Sequence, residues 1–421
     1  MRSPIPDYLA AALQAVEPDT SGAVADYIPQ LAVADPDLLG VAAAMTDGYL
    51  YEAGDTRAEF SIQSISKPFV YALALAGRGF DAVLDKVGVE PTGDAFNQIS
   101  LEPGTGRPRN PMINAGAIAV HTLAAPEGTD PAARFQAVLD GLSAFAGRQL
   151  SVDEAVFESE LGHAFRNRAL ANLLRANGII DEDPLIAVTG YTRQCSINVT
   201  TRDLAMMAAT LANQGVNPRT GVEVVGSRVV RQTLSVMSTC GMYDGAGDWM
   251  VRVGVPAKSG VAGGLIGALP GQIGIATFSP RLDRHGNSVR GVELFQRFAA
   301  DMSLHLMEAV SAPLAVIRGA ELIDGPEPLY VVTLQGSIRF AGGERVTREF
   351  ELNPPPCRRV AIDLNRVYRL GDAARLLLVE TLHRLVADGH VVYLLDGDRR
   401  IGPDDVGDLD VELAGSIDEI G

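Results

Sequence analysis

Residues 61–70 read SIQSISKPFV, a serine, a lysine and a proline in close order at the start of an apolar run. Ser64 and Lys67 stand three residues apart, and Pro68 follows at once. Proline lacks an amide hydrogen and its ring clashes with the preceding turn, so a helix tolerates it only in its first turn. Pro68 therefore requires a helix that begins close to Ser64. At a helix start, unpaired N–H groups and the positive dipole end make an electropositive corner that stabilises an oxyanion. The i, i+3 spacing sets Lys67 one turn on, on the same face. Ser64 is thus a nucleophile candidate and Lys67 its base candidate. A free lysine has a pKa near ~10.4, which leaves roughly one in 2,500 neutral at pH 7. A basic Lys67 must be desolvated or stand beside another cation. Lys258, in PAKSGVAGG, is such a cation if its strand lies alongside.

The rest of the chain bounds this reading. Its 421 residues suggest two or three domains, and 47% apolar with 21% charged residues is the range of a soluble globular protein. The formal net charge of −17 repels nucleic acid and anionic membranes, and neither is expected as a partner. The N-terminus lacks the apolar region of a signal peptide, and no stretch approaches the ~18 apolar residues of a membrane span. Cys195, Cys240 and Cys357 show no CxxC spacing and cannot all pair, which points to a reduced, cytoplasmic location. The histidines are scattered without HxxxH or HxH spacing, so no metal is expected, and no cofactor either. His121 and His163 read as structural, and Cys195 and Cys240 as small buried residues.

Residues 1–318 read as an α/β domain. Strand patterns such as DLLGVAAAMTDGYLYEAG, with its DG hairpin signal, and VPAKSGVAGGLIGALPGQIGIATFSP lie at the two ends. Helical patterns crowd the middle. A sheet assembled from both chain ends follows. Residues 315–330 read as a linker, because a helix pattern ends and Gly and Pro enter. Beyond it, residues 326–421 read as a small α/β domain: LYVVTLQGSIRF as a strand with a turn, RRVAIDLNRV as a strand, GDAARLLLVETLHRLVADGH as a helix ended by Gly389, and VVYLLDGD as a strand.

SxxK alone is a weak signal, but the later KSG strengthens it. The pair resembles the SxxK and K-[ST]-G elements of serine β-lactamases and penicillin-binding proteins, although their S-D-N element is missing. Further stretches narrow the resemblance. ADYIPQLA, QSISKPFVYALAL, NPMINAGAI, QCSINVT, MAATLANQGVNPRTG, STCGMYD and PAKSGVAGGLIGALPG, in this order over about residues 5–310, are similar to the serine-dependent glutaminases. The resemblance implies a serine β-lactamase/transpeptidase-like domain, an antiparallel sheet with a helical subdomain. It implies hydrolysis of L-glutamine to L-glutamate and ammonia, with L-glutamine as the ligand. It also suggests a homo-oligomer, a dimer or tetramer.

Carried over position by position, Ser64 matches the family nucleophile and Lys67 its base. Tyr243 in CGMYD matches a tyrosine close to the nucleophile that relays protons. Tyr27, Asn114 and Tyr191 match pocket residues. The glutamate and the asparagine seven residues on fit FESELGHAFRN, giving Glu160 and Asn167, although LGHAF replaces a more polar run between them. Val261 matches the residue whose backbone N–H completes an oxyanion hole with that of Ser64. On this reading Glu160 pairs with the α-ammonium of glutamine, while Tyr27, Asn114, Asn167 and Tyr191 donate to its α-carboxylate.

Residues 326–421 resemble a STAS domain, with VAIDLNRV leading into a helix as the main match. Asp372 stands where signalling members carry a phosphorylatable serine, so a regulatory or assembly role without a kinase switch is implied. Two alternatives remain at this point. One is a cytosolic β-lactamase-like serine esterase, which needs neither Glu160 nor the amide cluster. The other is a non-catalytic scaffold acting through the C-terminal domain.

Overall fold

The structure is a computed structural model that describes residues 5–92, 100–307, 316–338, 340–407 and 409–420. The chain divides into two compact units, residues 1–308 and 309–421.

The first unit is built on a five-stranded antiparallel sheet of β1 (Gly40–Met45), β2 (Leu50–Gly54), β3 (Ala257–Ser259), β4 (Gly264–Leu269) and β5 (Ile273–Phe278), in the order β2-β1-β5-β4-β3. The two chain ends meet where β1 pairs with β5, from Gly40 opposite Phe278 to Met45 opposite Ile273. The DG signal closes the β1–β2 hairpin, where Gly48 adopts φ +90°, a conformation that favours glycine. Apolar residues run without interruption along β1 because both faces are covered. Val41 and Ala43 face the cluster of α1 (Ile5–Val16) and the helix Val289–Met302, while Ala42 and Ala44 face the larger core.

That larger core holds the helical lobe: α2 (Ser66–Arg78), α3 (Asn114–Thr122), α4 (Glu154–His163), α5 (Phe165–Ala176), α6 (Pro184–Cys195) and α7 (Thr201–Ala212). Helix α7 is apolar nearly all round because it lies between the sheet and the lobe. Its start is fixed by a capping box of Thr200 and Asp203. Its approach to the sheet is so close that a Cβ on Gly274 would stand 2.0 Å from the Ala209 amide nitrogen. Asp203 is also held by both guanidinium arms of Arg148, at 2.6 and 2.7 Å. Among the described residues no helix is long and apolar enough to cross a membrane.

The second unit contains a five-stranded sheet of β6 (Ile317–Ile323), β7 (Leu329–Ile338), β8 (Arg359–Leu370), β9 (Val391–Leu395) and β10 (Val411–Ala414), ordered β10-β9-β8-β7-β6. Strand β6 is antiparallel to β7, and the other neighbours are parallel. Helices α8 (Phe340–Leu352) and α9 (Asp372–Ala387) pack their apolar residues on one face of it.

Two local expectations are corrected and one helix is added. Residues 317–323, read as part of a linker, form the edge strand β6; its largely exposed side chains left no alternating burial signal. LYVVTLQGSIRF carries no turn over its described residues: Gly336, at φ +83°, produces a bulge inside one continuous strand. Helix α8 was missed because Gly342 and Gly343 open it. A Cβ on Gly343 would come within 3.0 Å of the Ala374 Cα, so glycine there permits α8 and α9 to touch.

Candidate active site

Ser64 lies in a single 3-10 turn, Gln63–Ile65, which runs directly into α2. Pro68 stands in the first turn of α2, where its missing amide hydrogen leaves no gap. The expected helix start is therefore present, one turn tighter than a regular helix. Gln63, immediately before Ser64, adopts φ +49°, and Tyr243 adopts φ +55°. Left-handed backbone at residues other than glycine persists only where the surroundings fix it, and it concentrates at functional sites.

Lys67 is 1% exposed. Its Nζ donates to Asn114 Oδ1 at 2.8 Å and to the Tyr243 hydroxyl at 3.4 Å. The Tyr243 hydroxyl also shares a hydrogen bond with Ser64. Tyr243 thus bridges Ser64 and Lys67. Burial lowers the Lys67 pKa to about 7, so a large fraction of the amine is neutral at neutral pH. Lys258 lies next to this group: its Nζ donates to the Ser259 carbonyl at 2.9 Å and stands 3.9 Å above the Tyr243 ring. Burial first, and then the charge of Lys67, push its amine well below the ordinary lysine range. The depression of Lys67 therefore comes from desolvation, and the role of charged neighbour expected for Lys258 does not account for it. Burial pushes the Tyr243 phenol up, so it remains a phenol at neutral pH.

From Ser64 a cavity of about 270 Å³ extends between the Gln63–Ile65 turn, the start of α3, and α4, α5 and α6. Ser64, Asn114 and Val261 line it, together with Tyr27, Glu160, Asn167 and Tyr191. The α4–α5 junction lets Glu160 and Asn167 face the same space. Within LGHAF, Ala164 lines the cavity and Phe165 turns outward, 71% exposed. Asn114 is the hub of the amide cluster. Its Oδ1 accepts from Lys67 and, at 3.5 Å, from the Tyr191 hydroxyl, while its Nδ2 donates to Asn167 Oδ1 at 3.1 Å. Glu160 Oε1 accepts from the Tyr27 hydroxyl at 2.8 Å and from Gln63 Nε2 at 2.9 Å. Burial raises the Glu160 pKa, and these two donors oppose the rise.

The candidate catalytic and pocket residues named from the sequence thus gather in one place. Lys67, Tyr243 and Lys258 form a group next to Ser64 outside the cavity lining, and the others line the cavity itself. Gln63, Arg166 and Thr192 also line the cavity without having been singled out, and so do His163, read as structural, and Cys195, read as a small buried residue. Gln63 carried a usable signal, a polar side chain directly before Ser64. Cys195 carried none, since burial pushes its thiol up to about 11 and leaves it an ordinary protonated thiol.

The arrangement suits acyl transfer: a serine at an electropositive turn, a partly neutral amine reached through a phenol, and a polar cavity lined by one carboxylate, Glu160. The sequence matches the glutaminase family over residues 22–307. It is 47% identical over 393 residues to a glutaminase of Corynebacterium efficiens, covering 93% of this chain and 92% of that one. It is likewise 47% identical over 403 residues to a glutaminase of Corynebacterium glutamicum, covering 96% and 95%. A glutaminase of Clavibacter michiganensis is 53% identical over 287 residues, 68% of this chain and 87% of its own. The solved structure of Mglu superposes with a TM-score of 0.90 at 47% identity over 95% of this chain and 100% of that one. A second Mglu structure, in its tris and glutamate form, superposes equally well at 42% identity over 95% and 99%. The chain belongs to the glutaminase family and is an amidohydrolase of serine β-lactamase-like fold.

Proposed function

We propose that the protein converts L-glutamine and water to L-glutamate and ammonia through a seryl acyl-enzyme. The observation that carries the reading is the Ser64–Tyr243–Lys67 contact opening into a cavity that also holds Glu160. The glutamate form of the related Mglu supports an amino-acid dicarboxylate as product. Glutamine enters with its α-ammonium against Glu160 and its α-carboxylate against the phenols and amides of Tyr27, Asn114, Asn167 and Tyr191. Its side-chain amide then lies over Ser64. Neutral Lys67 takes the hydroxyl proton of Ser64, with Tyr243 passing it, and Oγ adds to the amide carbon. The oxyanion is held by the Ser64 and Val261 N–H groups. Return of the proton to the amide nitrogen releases ammonia and leaves a glutamyl ester on Ser64. Water, deprotonated by the same groups, cleaves the ester to glutamate. Ammonia release from a panel of glutamine, asparagine and simple amides tests the reading. Turnover of the simple amides with none of glutamine would sink it.

The lowered pKa of Lys67 predicts a pH profile. A general base must be neutral, so kcat/KM should fall as pH drops through about 7 and level off above it. The midpoint of that limb, measured with glutamine at fixed ionic strength, checks the assignment. A midpoint near the ordinary lysine value would remove Lys67 from the role.

We also propose that the second unit is STAS-like and serves assembly or regulation rather than chemistry. Supporting this, its parallel strands alternate with helices packed on one sheet face, and all the proposed site residues precede it. The boundary that follows is 308/309, since a chain ending near residue 319 would cut β6. Residues 1–308 alone are expected to fold and to turn over glutamine. A soluble, folded 1–308 chain with no activity would give the second unit a part in the site or in an active oligomer.

A further inference from the structure

Behind the nucleophile turn, away from the cavity, three helices meet through a run of buried polar groups. His121 is on α3, Gln194 on α6, and Ser66 opens α2; each is 0–1% exposed. Ser66 Oγ lies 2.8 Å from the Gln63 carbonyl oxygen. Gln194 Nε2 lies 2.9 Å from Ser66 Oγ, and Gln194 Oε1 lies 2.9 Å from His121 Nδ1.

The direction of every bond in this run is dictated from one end. The Gln63 carbonyl only accepts, so Ser66 must give it its proton. The Ser66 oxygen then accepts, so Gln194 must present its NH₂ to Ser66 and its oxygen to His121. His121 Nδ1 therefore carries the ring proton. That leaves Nε2 bare, and Nε2 is buried without a hydrogen-bond partner among the described residues. It faces Gly190, where a Cβ would stand only 2.2 Å away. A bare ring nitrogen belongs to a neutral imidazole, and burial, with Arg134 nearby, lowers the His121 pKa to about 4.

The chain ends on the carbonyl of the peptide that joins Gln63 to Ser64. That peptide is planar, so fixing its C=O fixes the opposite direction of its N–H. The N–H is that of Ser64. Gln63 itself sits at φ +49°, a conformation the surroundings must hold. We propose that His121, Gln194 and Ser66 form a positioning chain that aims the Ser64 N–H at the oxyanion of the acyl-transfer transition state. None of the three lines the cavity, although Ser66 also shares a hydrogen bond with Cys195, which does; their link to the nucleophile turn is this peptide. The inference rests on the reading of Ser64 as nucleophile and oxyanion donor given above.

The test is steady-state kinetics on Ser66→Ala, Gln194→Leu and the double variant of the full chain, with Ser64→Ala as control. Losing one oxyanion donor outright costs about 10²–10³ in kcat, so a misdirected donor should cost about tenfold. The KM for glutamine and the affinity for L-glutamate should stay within about twofold, because ground-state recognition lies elsewhere. The double variant should be no slower than the slower single one, because cutting one chain twice has one effect. Ser66→Ala removes a single oxygen and carries the same expectation if Gln194→Leu fails to fold. Unchanged kcat in folded variants, beside an inactive Ser64→Ala, would overturn the positioning chain and leave the serine mechanism standing. Loss that falls on KM, or adds up in the double variant, would also overturn it. Turnover by Ser64→Ala would instead bring down the serine reading itself.

Discussion

Ser64→Ala should abolish glutamine turnover, by on the order of 10⁴-fold or more, while leaving the thermal unfolding of the protein nearly unchanged. Ser64 is half-buried in the cavity lining, and its hydroxyl forms one hydrogen bond, to Tyr243, that the structure identifies. Losing one such bond costs about 1 kcal/mol, too little to unfold a domain. Lys67→Met keeps the buried volume and removes the amine. Its effect on turnover should approach that of Ser64→Ala, and the double variant should be no worse, because a nucleophile and its base act as a unit. Ammonia release with each purified variant, beside its melting curve, reads the result. A folded Ser64→Ala protein retaining more than a few per cent of activity would end the acyl-enzyme scheme. An additive loss in the double variant would separate Lys67 from Ser64.

The parts of this site that could be read from sequence are those set by local chemistry. Pro68 announced the helix start, and the DG turn announced the first hairpin. A sheet assembled from both ends of the first domain followed from the strand patterns there, and the pairing of β1 with β5 is how the ends meet. The amide and phenol cluster is different. Tyr27, Asn114, Glu160, Asn167, Tyr191 and Val261 are spread over more than half the chain, and no local pattern joins them. They became visible only through an ordered family resemblance.

What stayed hidden depends on burial, which tertiary packing decides. Lys67 could be seen to need a lowered pKa, but the cause was open between desolvation and a second cation. The structure assigns it to desolvation and makes Lys258 another depressed amine beside it. The left-handed backbone of Gln63 and the bonds from His121 through Gln194 to Ser66 join residues far apart in the chain. In sequence each of them looks like an ordinary polar residue in or beside a helix. In the second unit β6 was passed over for the opposite reason: an exposed edge strand leaves no apolar alternation to read.

Glu160→Gln separates amino-acid recognition from acyl chemistry. The carboxylate takes hydrogen bonds from Tyr27 and Gln63 on one oxygen, Oε1. A glutamine at this position can offer its amide oxygen to the same two donors, so the cavity wall keeps its shape. What disappears is the charge. An α-ammonium entering the cavity then gives up hydration without an opposite charge to replace it. Losing one partner of a desolvated charge pair costs about 2–5 kcal/mol. At about 1.4 kcal/mol per decade, kcat/KM for glutamine should fall roughly 30- to 4,000-fold. A small neutral ester that acylates Ser64 brings no ammonium and should lose far less. Both substrates measured on the one variant therefore decide the role of Glu160. Unchanged glutamine turnover would show that the ammonium binds elsewhere. Equal loss on both would mean that Glu160 acts through Gln63 on the nucleophile turn, because Gln63 is the residue that joins the carboxylate to Ser64.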